Sequence, residues 1–115
     1  MKILVIVNES PWGSSLGVTA LRLARAMLAG GQQLIAIYFR EDGVYHAQPG
    51  RAADSGTPCL ANAWQSLAKA GGIPLLLCSS ASQRRFEKVP AGVFREAGLA
   101  EMMELMASSD RVVTF

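Results

Sequence analysis

The chain has 115 residues, half of them apolar and 17% charged, with a formal net charge of +2. That length holds one domain with a substantial core and excludes two, so residues 1–115 are expected to form a single domain. The charges are scattered, with no run of one sign and no basic stretch interleaved with aromatics, which argues against nucleic-acid binding.

Ile3 to Val7 is apolar at every position, as a buried parallel strand should be. It is too short for a signal sequence and runs directly into Asn8-Glu9, and no later stretch is long enough to span a bilayer. A cytoplasmic chain without membrane contact is expected. The following turn ends in serines suited to capping a helix. It carries Gly13 and Gly17 but matches neither glycine pattern of a phosphate cradle, so a capped strand-to-helix turn is expected. From Leu16 to about Ala29, Leu16, Ala20, Leu23 and Met27 recur at helical spacing, and Gly30-Gly31 closes the helix.

Leu34 to Phe39 reads as a second strand. Arg40 to Pro58 has no periodicity and contains several Gly and Pro residues, and a loop of that length in a small α/β domain is often functional. A helix from about Cys59 to Ala70 places Leu60, Trp64, Leu67 and Ala68 on one face, and Gly71-Gly72 stops it. The apolar run Ile73 to Cys78 is a third strand, and the serines after it open a short helix that ends near Arg85. Glu87 to Ala97 is irregular and leaves room for a hidden strand. Leu99, Met102, Met103 and Met106 mark a last helix, with the methionines expected in core or subunit packing. Arg111 to Phe115 is a final strand. This alternation implies an α/β fold, with a mostly parallel sheet of four or five strands and helices on both faces. The apolar fraction is high for a small monomer, which points to surface buried against other subunits.

Chemistry concentrates at Cys78. It stands where a strand meets a helix, at the carboxyl edge of the sheet, where α/β folds place ligand and reaction sites. Helix amides, with Arg84 or Arg85 nearby, would favour its thiolate. A small buried core residue is the competing reading, and the residues alone leave both open. Cys59 begins a helix and is either incidental or a resolving partner for Cys78. His46 is a candidate proton carrier near the thiol, or an exposed loop histidine without a role. Two cysteines 19 positions apart and one histidine do not make a structural zinc site, and a disulfide is not expected in a reducing compartment.

Several segments, taken in order, resemble one family. They are Met1–Val7, Tyr38-Phe39-Arg40-Glu41-Asp42-Gly43-Val44-Tyr45, Ala63-Trp64-Gln65-Ser66-Leu67, Leu77-Cys78 with Ala81 through Arg84-Arg85, Gly98-Leu99-Ala100-Glu101, and Ser109 through Phe115. The chain resembles the DsrE/TusD group of sulfur-relay subunits, found in the DsrEFH and TusBCD complexes, and TusD-like subunits most of all. The resemblance implies a three-layer α/β/α fold and a cysteine, here Cys78, that carries sulfane sulfur as a persulfide, with no cofactor and no metal. It implies an oligomer, either of this chain alone or a hetero-hexamer with DsrF/TusC-like and DsrH/TusB-like subunits. A TusA-like protein would supply sulfur and a TusE- or DsrC-like protein would accept it, for tRNA thiolation or for dissimilatory sulfur metabolism. The segment between Phe86 and Gly98 looks shortened against the family pattern. Arg40–Pro58 is a candidate shield for the sulfur. Two other readings stand beside this one: a non-catalytic structural subunit of the same kind of oligomer, and a flavodoxin-like nucleotide-binding module.

Overall fold

The computed structural model describes residues 1–12, 15–48, 60–88, 90 and 92–115. Five strands form one sheet: β1 (Lys2–Val7), β2 (Gln33–Phe39), β3 (Leu75–Cys78), β4 (Phe94–Ala97) and β5 (Arg111–Thr114). Their order is β4-β3-β2-β1-β5, and every neighbouring pair is parallel. The expectation of a mostly parallel sheet therefore becomes a fully parallel one. Four helices connect the strands, α1 (Leu16–Ala29), α2 (Leu60–Gly71), α3 (Ser79–Arg85) and α4 (Leu99–Ser108). A 3-10 helix spans Glu41–Ala47, where the sequence reads as aperiodic loop.

The period-2 alternation of strand side chains divides the core into two layers. Ile3, Val5, Val7, Ile37, Phe39, Leu75 and Leu77 face α1 and α2, with Trp64 and Leu67 of α2 packed on them. Leu4, Ile6, Ala36, Tyr38 and Leu76 face α4, where Met102 covers them. A bulge between Ile3 and Leu4 in the β1–β2 register makes Leu34 and Ala36 successive partners on β2, which resets the phase so that Ile37 and Phe39 face α1. Both faces are thus covered, and the three-layer arrangement holds.

Helices α1 and α2 end where the paired glycines predict. Gly31 and Gly72 take positive φ angles of 81° and 64°. The Gln32 amide then reaches back to the Met27 carbonyl and the Ile73 amide to Ala68, which satisfies carbonyls the helix would otherwise leave open. The buried stripe of α1 differs from the expected one. Ala20, Leu21 and Ala24 join the core, Gly17 is buried against His46, and Leu16 and Leu23 are exposed. Small side chains let this helix approach closely: a Cβ at Gly17 would lie 2.6 Å from the His46 ring. Close approach outweighs side-chain size here. On α4 only Met102 is buried, and Leu99, Met103 and Met106 lie on the solvent side.

The hidden strand is β4. Its inner residues, Arg95 and Glu96, are exposed and charged, so this short edge strand has no apolar signature.

Candidate active site

Cys78 is the last residue of β3 and the N-cap position of α3. An N-cap side chain normally offers an oxygen to the first free amides of the helix; here a sulfur occupies that place. Burial pushes the Cys78 thiol up, but the Ser80 hydroxyl, the nearby Ala81 amide, the Tyr38 hydroxyl and the Ser80 amide outweigh it and leave the thiol below its ordinary value. The Ser80 hydroxyl stands 3.5 Å from Sγ. The amides face the sulfur without making a full capping bond, yet still favour its anion. Cys78 is a free, half-buried cysteine, so the sulfur is both acidified and reachable.

Sheet register brings in Tyr38. It stands opposite Leu76, and Cys78 lies two positions further along β3, so both side chains are on the α4 face. Tyr38 is 1% exposed, and its hydroxyl donates to the Ala97 carbonyl at 2.8 Å. Ala97 is in turn the β4 partner of Cys78. Burial holds the phenol above its ordinary pKa, and the neighbouring sulfur adds to this, so Tyr38 keeps its proton at neutral pH and acts only as a hydrogen-bond donor or acceptor. A pocket of about 400 Å³ opens beside these groups. Tyr38, Arg40 and Glu41 line one side, Cys78, Ser79 and Ser80 another, and Gly98, Leu99 and Met102 the third.

The other candidate residues fall elsewhere. Arg84 is exposed, and neither it nor Arg85 lines this pocket. Arg85 bonds Asp42 at 2.9 Å, approaches Glu41 at 3.6 Å and caps the Ala81 carbonyl, so it ties α3 to the 3-10 helix. The arginine at the pocket is Arg40. His46 is no exposed loop residue; it is 1% exposed and sits between α2 and the chain after β1. The Trp64 indole donates to Nδ1 at 3.0 Å, so the ring proton is on Nε2 and points at the Glu9 carbonyl, also 3.0 Å away. Burial lowers its pKa to about 4. A neutral histidine with both nitrogens engaged, away from the pocket lining, pins the core. Cys59, Gly13 and residues 49–58 of the expected Arg40–Pro58 loop lie outside the described residues. Of the candidate shield, Glu41 stands at the pocket, with a φ of 49°.

Sequence reasoning missed Tyr38, Ser80 and Arg40. A polar ring inside the apolar strand β2, near its carboxyl end, was the available signal for Tyr38. Among the described residues no helix is long and apolar enough to cross a membrane, and no group of three or more His, Cys, Asp or Glu could hold a metal ion.

The family model for DsrE/DsrF-like proteins matches residues 1–115. The chain belongs to the DsrE/DsrF-like family. Its relatives include the sulfurtransferase TusD homolog of Pasteurella multocida, 34% identical with 98% of each chain covered. Another is the sulfurtransferase TusD of Cronobacter sakazakii, 30% identical with all of each chain covered. Among solved structures, the ychN protein of E. coli shares the fold with a TM-score of 0.85 at 24% identity, covering 100% of this chain and 99% of that one. This DsrE/DsrF-like chain thus places an acidified cysteine at the carboxyl edge of the sheet that its family shares.

Proposed function

We propose that this chain is a sulfurtransferase of a sulfur-relay system, taking sulfane sulfur onto Cys78 as a persulfide and passing it to a thiol of another protein. One observation carries the reading: Cys78, free and half-buried at the end of β3, opens to a pocket of about 400 Å³ with the Ser80 hydroxyl 3.5 Å from its sulfur. Membership of the DsrE/DsrF-like family and relatives named sulfurtransferase TusD support it.

The chemistry needs nothing beyond these residues. The Cys78 thiolate attacks the outer sulfur of the donor's persulfide, a new S–S bond forms, the old one breaks, and the donor leaves as a thiolate. Charge and proton count are unchanged. Handing on is the same step with Cys78 as the leaving group. Arg40 at the pocket edge offers a positive field to an incoming anionic sulfur. A TusA-like donor and a TusE- or DsrC-like acceptor fit this exchange, for tRNA thiolation or for sulfur oxidation. The exposed ridge of Leu99, Met103 and Met106 supports assembly with related subunits or further copies of this chain.

The test is loading with a cysteine desulfurase, cysteine and a TusA-like carrier, followed by intact mass. Wild type gains the mass of sulfur and Cys78→Ala does not. Equal gain by Cys78→Ala, or none by wild type, overturns the proposal.

A further inference from the structure

Tyr38 has one proton to donate and two acceptors within reach. The carbonyl of Ala97 accepts it at 2.8 Å, and the sulfur of Cys78 lines the same pocket, close enough for each group to act on the other's charge. The two acceptors are neighbours because Cys78 and Ala97 are paired across β3 and β4. A neutral thiol carries its own hydrogen and can donate it to the phenol oxygen, which leaves the phenol proton on Ala97. An anionic sulfur has no hydrogen and needs donors. The hydroxyl satisfies both states by turning about its C–O bond, with no movement of the ring.

We infer that the Tyr38 hydroxyl is a switchable hydrogen-bond donor to the reacting sulfur: it holds the Ala97 carbonyl when Cys78 is a thiol and turns to the sulfur when that atom is an anion. This rests on the reading of Cys78 as the sulfur carrier. Burial of the ring makes the device dependable, because water does not compete for the proton at a residue 1% exposed. The phenol keeps its proton throughout, so no proton is transferred and only the hydrogen bond changes partner. The persulfide that forms extends one S–S bond, about 2.05 Å, beyond Sγ into the pocket. Tyr38 lines that pocket with Arg40 and Met102.

The experiment is the pH dependence of Cys78 alkylation, in a Cys59→Ser background so that one thiol reports. Tyr38→Phe keeps the ring and removes the donor. We expect its alkylation midpoint to rise and its rate at pH 7 to fall about tenfold, the scale of one lost hydrogen bond to an ionised group. A role limited to holding Ala97 would lower the unfolding temperature and leave the midpoint where it was; that result overturns the inference. Site-specific 3-fluorotyrosine at 38, similar in shape and a stronger donor, serves if Tyr38→Phe does not fold. It should move the midpoint down, and an unmoved midpoint refutes the idea equally. Sulfur loading by intact mass separates the two readings. If Cys78→Ala loads as wild type does, the carrier assignment fails, while the alkylation profile still reports whether Tyr38 donates to this thiol.

Discussion

Acid should destabilise this protein through His46 in particular. The Trp64 indole can only donate, so Nδ1 must accept and the ring must be neutral with its proton on Nε2. Protonation would set an N–H against an N–H and bury a charge at a site 1% exposed. The ordinary value of 6.5 falls to about 4 in the fold. Between those two values the unfolded chain binds a proton and the native state does not, so stability falls as pH drops through that window. A gap of about 2.5 pH units at 1.36 kcal/mol each gives about 3 kcal/mol. His46→Gln is the control, because the glutamine amide can accept from Trp64 and donate to Glu9 without titrating. Urea unfolding of both proteins from pH 7.5 to 4 should show wild type losing about 3 kcal/mol relative to the variant. Parallel curves would refute the assignment of a buried neutral imidazole.

Three further outcomes follow from the same geometry. A Cβ at Gly43 would collide with the Val7 carbonyl, which accepts the Arg40 amide at 2.9 Å and cannot rotate away. Gly43→Ala should therefore cost about 2–3 kcal/mol and lower the unfolding temperature by roughly 10 °C; an unchanged melting curve would contradict it. Met103, 60% exposed on α4, should tolerate Met103→Glu within about 0.5 kcal/mol of monomer stability. Sedimentation should show weaker self-assembly or subunit binding, and undiminished assembly would remove the α4 ridge as an interface. The groups that acidify Cys78 are hydroxyls and amides, with Arg40 at the pocket edge, so its alkylation midpoint should rise only slightly from about 0.05 to about 0.5 M salt, whereas Ser80→Ala should raise it. A midpoint that climbs steeply with salt would restore the arginines.

The strands and helix ends were legible because their signals are local. Continuous apolar runs marked β1, β2 and β3, and paired glycines marked the ends of α1 and α2. What depends on distant contacts was not. The 3-10 helix Glu41–Ala47 has no amphipathic period; His46 and Val44 bury because the fold closes over them. The α1 stripe shifted because Gly17 sits against the His46 ring, whose burial no local pattern announces. Cys78 was readable from its strand-to-helix junction, but Tyr38 meets it only through the β2–β3 register. Arg84 and Arg85 were attractive by sequence nearness alone. Helix geometry turns Arg84 to solvent and Arg85 toward Asp42.

That exchange of arginines for neutral donors bears on how a relay can run. A carrier must act first as nucleophile and then as leaving group. A lower thiol pKa raises the thiolate fraction and speeds departure, but it also weakens attack, so the useful range lies near ambient pH. A guanidinium in contact with the sulfur would hold the anion hard and favour departure at the expense of attack. Hydroxyls and amides opposed by burial acidify the thiol in the same direction with a lighter hand. They also adapt: in the inferred switch the Tyr38 hydroxyl turns between the Ala97 carbonyl and the sulfur as charge appears and leaves. The Tyr38 ring stays fixed in the core while its proton changes partner. For the proposed carrier role of Cys78, this would let sulfur enter and leave the same site, which is the requirement a relay sets and a terminal sulfur trap does not.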